Sequence, residues 1–286
     1  MWQKIALFVI LIRILIFYTV PPSLAGESDD SEFCSTGIEK KVEKRIGDYR
    51  IRISYAHERM CQHLEIFKRG KIVFHVAGAD DHYFLGGKWT GGLDNRYIMK
   101  LTGHGTQLVI SKWTGGAHCC MSLIIFDLTE PFKKIAEVEG GNFEPEIIDL
   151  DHDGIPEIRI IDDFLAYRFS SFATSAKGIV ILKYSNGGYV LAEELMKRPP
   201  PSEKSLSKQM IALRNAFLSD DPEWPPEPFV QAMTDLVFTG NGHKALEFVD
   251  QIWPKGVSGK EEFLGSYKQA LSESVYFSKA SEHLIH

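Results

Sequence analysis

The chain reads as an α+β protein: an antiparallel β-rich domain, propeller-like or a sandwich, followed by a small helical C-terminal region. Three observations carry that expectation. From about residue 37 to 196, short β-branched and aromatic runs alternate with glycine- and asparagine-containing turns, the pattern of an all-β sheet system. Pro199-Pro200-Pro201 then enforces extended chain. Beyond it, apolar residues recur at helical spacing.

The elements follow in order. Residues 1–25 have the layout of a secretory signal peptide: Lys4, an apolar stretch from Ile5 to Val20 broken by Arg13, and small residues in Ser23-Leu24-Ala25. The apolar stretch is shorter than the roughly 20 residues a membrane-spanning helix needs. A central arginine costs such a helix about 2.5–3.5 kcal/mol. Cleavage after Ala25 is therefore expected, with an uncleaved anchor as the alternative and no stable membrane span after cleavage. Residues 26–36 are polar and acidic and read as a flexible leader. Tyr49-Arg-Ile51-Arg-Ile53-Ser-Tyr55 alternates as a strand exposed on one face. Leu64–Phe67 and Ile72–Val76 flank the turn Arg69-Gly70 and predict a hairpin. Leu108–Ile110, Leu123–Phe126, Ile135–Val138, Ile158–Ile161 and Ile179–Leu182 continue the strands. Asn186-Gly187-Gly188 turns the last of them back into Tyr189–Leu191. Residues 37–196 are thus the β-rich domain and 197–202 a Pro-rich linker. In the helical region, 203–286, the spacing predicts helices over 205–218, 229–238, 244–253 and 260–275, with Phe217, Phe238, Phe248, Trp253 and Phe263 as core.

The net charge is −6. Loss of residues 1–25, which carry Lys4, Arg13 and no acid, lowers it by two, to −8. An acidic chain with no clustered Lys and Arg is unsuited to nucleic-acid phosphates.

The most informative stretch is Asp149-Leu-Asp151-His-Asp153-Gly154-Ile155-Pro-Glu157. Alternate carboxylates in a tight turn converge on one point, and Ca²⁺ takes six to eight oxygens. The predicted ligands are Asp149, Asp151, Asp153, the Ile155 carbonyl and Glu157, with Gly154 making the turn. An EF-hand is excluded, because Ile160 stands where its bidentate Glu belongs and a strand follows instead of a helix. The motif resembles the loop of FG-GAP and VCBS-type repeats, Asp-x-Asp-x-Asp-Gly-x-x-Asp/Glu, which links strands in integrin-like propellers. That resemblance implies Ca²⁺ held between strands, with Glu157 in place of the commoner Asp. A second copy with the acids lost aligns at Lys100-Leu-Thr102-Gly-His104-Gly105-Thr-Gln-Leu108, about 49 residues earlier, if one residue is skipped; chance would explain it equally well.

Four cysteines, Cys34, Cys61, Cys119 and Cys120, suit disulfides in an exported chain and allow three pairings. Neighbours in a strand point to opposite faces, so Cys119 and Cys120 are expected to reach Cys34 and Cys61 rather than each other. Gly115-Gly116-Ala-His118-Cys119-Cys120 is also similar to a segment of exported bacterial proteins that carry one calcium loop and no assigned activity. Its other reading is a nucleophile, redox or soft-metal site. Asp162-Asp163 and Asp80-Asp81-His82 are further acidic clusters, read first as polar strand ends and loops. No hydrolase elbow, zinc-protease motif or phosphate-binding loop occurs. The chain is thus expected to be a periplasmic or secreted calcium-binding structural or interaction module. The helical region would contact an envelope partner. A periplasmic hydrolase or thiol-redox protein using His118-Cys119-Cys120 is the alternative.

Overall fold

The computed structural model describes residues 38–56, 61–78, 81–86, 97–116, 119–217 and 225–277. The expected signal peptide, leader, Cys34, Asp80, His118 and residues 278–286 lie outside them, as does the side chain of Cys119.

Among the described residues, thirteen strands form three antiparallel sheets, followed by helices. In the first sheet β1 (Ile38–Ile46), β2 (Tyr49–Ala56), β3 (Cys61–Lys68) and β4 (Lys71–Gly78) are paired in chain order. The second contains β5 (His82–Leu85), β7 (Gln107–Gly116), β8 (Cys119–Asp127) and β9 (Lys133–Gly141), with β6 (Ile98–Met99) also paired to β7. The third is β10 (Glu146–Ile148), β11 (Glu157–Asp162), β12 (Gly178–Ser185) and β13 (Gly188–Leu191). None of the three closes into a barrel.

Alternation explains how the sheets stack. On β8, Ile124 and Phe126 join the core shared with Ile51, Ile53, Leu64 and Ile66 of the first sheet. Leu123 and Ile125 join the opposite core, with Ile158, Ile160 and Val180 of the third. The middle sheet is therefore buried on both faces. That is why β7 opens with an unbroken buried run, Gln107 to Ser111, where a half-exposed strand would alternate.

The expected helical period holds. The helices are α1 (Glu193–Met196), α2 (Glu203–Phe217), α3 (Glu227–Phe238), α4 (Gly242–Ile252) and α5 (Lys260–Glu273). Proline near the start of α3 supplies a preset φ where no donor is needed. Phe229 is wholly buried, and its ring lies within 6.0 Å of those of Phe217, Phe248, Trp253 and Phe263. Burying each such side chain contributes about 1.5–3 kcal/mol. The helices share one continuous core with the third sheet, so the Pro-rich segment marks a change of secondary structure within a common core. A methyl group at Gly178 of β12 would overlap the ring of Phe238, so glycine is required where α3 meets the sheet. Tyr267 of α5 is also wholly buried and donates to Thr234 Oγ1 at 3.1 Å.

Candidate functional site: two equivalent loops

The acidic loop connects β10 to β11. Ile147 pairs with Ile158 and Ile148 with Glu157, so the chain must reverse between Asp149 and Pro156. It does so through two left-handed residues, His152 (φ 63°) and Gly154 (φ 86°). The odd-numbered side chains then converge. Carboxylate oxygens of Asp149, Asp151 and Asp153 all lie within 4.8 Å of one another. Backbone amides hold each in place. Gly154 N donates to Asp149 Oδ2 (3.1 Å), Asp153 N to Asp151 Oδ1 (3.2 Å) and Ile155 N to Asp153 Oδ1 (2.7 Å).

Glu157 is not one of that triad. It begins β11, is only 4% exposed, and accepts a hydrogen bond from Leu150 N at 2.9 Å. Burial pushes its carboxyl above the usual range, the Leu150 amide pulls it down, and the charges of Asp151 and Asp153 push it up again. Like charges at such distances repel by about 1 kcal/mol per pair in water and by more where solvent is excluded. The loop thus gathers negative charge with no side-chain cation against it among the described residues.

The connection from β6 to β7 follows a similar course with one residue fewer. Ile98 pairs with Leu108 and Met99 with Gln107, the register of Ile147–Ile158 and Ile148–Glu157. Gly103 (φ 78°) and Gly105 (φ 68°) are left-handed where His152 and Gly154 are. Leu101 N donates to Gln107 Oε1 at 2.8 Å, as Leu150 N does to Glu157. The two loops also touch: a methyl group on Gly103 would lie 2.8 Å from Ile155 Cδ1.

The chemistry differs at the centre. Gln107 is wholly buried, and its Nε2 donates to His104 O at 3.1 Å, an oxygen that also accepts from Thr102 Oγ1 at 2.8 Å. Glu157 has no such proton to give. Asp149 Oδ1 is buried with no hydrogen-bond partner among the described residues, a situation that is costly for an ionised group. An all-oxygen donor set with one orphaned carboxylate oxygen fits a hard divalent cation and does not fit a soft metal. Asp149, Asp151 and Asp153 would hold it, and it would supply neutralising charge. Sequence alignment already placed Gln107 opposite Glu157. What it did not reveal was the shared hydrogen bond to the loop's second residue.

The other candidates are placed elsewhere. Cys61 and Cys120 are each disulfide-bonded, and Cys61 is wholly buried. Asp163 receives Asn142 Nδ2 and is not part of the aspartate triad. Asp162 is buried and accepts from Ser274 Oγ (2.5 Å) and Phe164 N (3.1 Å), tying the third sheet to the chain after α5. Burial pushes its carboxyl above the usual range, and the Ser274 and Phe164 bonds oppose that. Asp81 accepts from Tyr83 Oη (3.0 Å) and pairs with Lys112 (3.2 Å), while the His82 ring stacks on Trp113.

No helix among the described residues is long and apolar enough to cross a membrane. No protein-family model, curated protein or solved structure matches the chain.

Proposed function

We propose that this chain is an exported, non-catalytic module in which one Ca²⁺ at Asp149, Asp151 and Asp153 fixes the entry into the third sheet. In this reading the Ile155 carbonyl and the second carboxylate oxygen of Glu157 add to the ligand set, while Glu157 Oε2 holds Leu150 N. The observation that carries the reading is the buried, unpartnered Oδ1 of Asp149 inside a carboxylate triad. The equivalent loop closes a similar turn with the Gln107 amide, so the acidic loop lacks a donor at that place. The resemblance to FG-GAP and VCBS-type loops and the succession of antiparallel meanders agree with a cation acting between strands. The signal-like residues 1–25 and the disulfides at Cys61 and Cys120 favour an oxidising, extracytoplasmic location. In this reading the helical region is the surface offered to an envelope partner.

Calorimetric titration of the chelator-treated protein with Ca²⁺ tests the site. One binding event in the wild type, absent from Asp151→Ala, is expected. Affinity in the range of about 0.1–1 mM would place it with extracellular modules. Unchanged titration heat in Asp151→Ala would end the proposal.

A further inference from the structure

Between the third sheet and the helices lies a cavity of about 560 Å³, within the range of roughly 300–1,000 Å³ usual for small-molecule sites. Ile179 and Ile181 of β12, Leu195 and Met196 of α1 and Phe238 of α3 give it an apolar lining. Ile179 remains 47% exposed there. Leu150 of the acidic loop also lines it.

The polar groups are few and unequal. Arg159 lines the cavity but is paired with Glu146 across the β10–β11 ladder. Arg198 lines it too, and its guanidinium has no ion pair or hydrogen bond among the described residues. Its backbone is nevertheless fixed, because Arg198 N donates to Thr239 O (3.2 Å) and Asn241 Nδ2 donates to Arg198 O (3.0 Å). Asp235 is the one acid in the lining; it accepts from Gln231 Nε2 at 2.7 Å, and burial pushes its carboxyl toward the neutral form. A second cavity of about 210 Å³ shares Arg198, Asp235 and Thr239 with the first and continues beneath Pro199 and Pro201 to Phe248. Arg198 therefore stands at the junction of two apolar spaces.

We propose that this cleft binds an amphipathic anion, with a carboxylate or phosphate on Arg198 and an aliphatic chain against Ile179, Ile181 and Leu195. Arginine suits either headgroup, since its planar fork donates two parallel hydrogen bonds to adjacent oxygens. Arg198 is itself exposed, so a neutral headgroup gains no charge-assisted hydrogen bond from it, and a cationic one is repelled. The cleft does not depend on the cation reading of the acidic loop, so either can fail alone.

The test is isothermal titration of the full chain, in Ca²⁺ throughout, with octanoate, octyl phosphate, octanol and octylammonium. Comparing octanoate with octyl phosphate separates a free-acid ligand from a phosphate-headed one. At least one anion should bind saturably at one per chain, tenfold or more tighter than octanol, with no binding of octylammonium. Arg198→Gln should weaken the anion at least fivefold and leave octanol unchanged, while Arg198→Lys, which keeps the charge and loses the fork, falls between the two. Thermal melts of both variants would show that the fold is kept. Octanol binding as tightly as the anions, unchanged anion binding in Arg198→Gln, or no saturable anion binding would each overturn the proposal.

Discussion

Residues 100–107 and 149–157 leave equivalent short strands, turn through two left-handed residues and enter the strands that carry their sheets. In both, a side chain at the start of the second strand accepts the amide of the loop's second residue. One interior is closed by the Gln107 amide, which donates to His104 O and, at 3.5 Å, to Asp127 Oδ1; the other is lined by three aspartates. The first turn is held by protein hydrogen bonds from Leu101 and Gln107. In the proposed reading, the second loop takes a cation in the place where Gln107 puts its amide protons.

Breaking the amide should give the largest effect. Gln107→Ala strands Leu101 N and leaves His104 O with one donor fewer in a buried site. Unsatisfied buried groups cost about 1–3 kcal/mol each, so a loss of about 3 kcal/mol is expected in urea unfolding, equal in Ca²⁺ and in chelator. A loss restored by Ca²⁺ would show that the loops are not independent.

Glu157→Gln imports the first loop's solution into the second. It keeps the Leu150 acceptor and removes one buried charge. Unfolding in chelator should therefore show a gain of about 1–2 kcal/mol, the order of a lost charge-burial penalty, while the response to Ca²⁺ shrinks. A variant less stable than wild type in chelator would contradict the equivalence.

The pH dependence follows from the same group. Glu157 has a folded-state pKa raised by burial. Its proton-linked contribution is whole below the unfolded-chain value and is lost as pH rises through the raised folded value. In chelator, stability should fall across that window, and Glu157→Gln should flatten the fall. Asp162, raised by burial as well, adds a slope of the same sign that Ca²⁺ does not touch; Asp162→Asn measures that background.

The smallest effect belongs to the backbone. His152 is left-handed where the first loop has Gly103. A non-glycine residue costs about 1–2 kcal/mol there, partly offset by glycine's greater freedom when unfolded. His152→Gly should add about 0.5 kcal/mol with no change in Ca²⁺ response. A destabilised variant would show that the imidazole has a role of its own.

Much of this architecture is written locally. Tyr49 to Tyr55 alternates because one face meets the core, and the helices after Pro201 follow from apolar spacing alone. Strand β1 was not legible in the same way. Ile38, Val42 and Ile46 are spaced by four, a helical interval, amid lysines and glutamates. Pairing with β2 makes the segment a strand, and its charges suit a sheet edge. The aspartate triad could be read because its members are adjacent in a turn. The role of Gln107 could not, since it depends on burial and on one hydrogen bond to Leu101. Nor could the cleft around Arg198, which exists only because β12, α1 and α3 converge.

The central claim, that a cation does in the acidic loop what an amide does in its twin, is tested most directly by thermal unfolding of wild type and Asp151→Ala in excess Ca²⁺ and in chelator. Tenfold excess over the dissociation constant adds about 1.4 kcal/mol, a shift of roughly 2–4 °C for a chain of this size. That shift is expected in the wild type and none in Asp151→Ala. Identical melting of the wild type in Ca²⁺ and in chelator would contradict it.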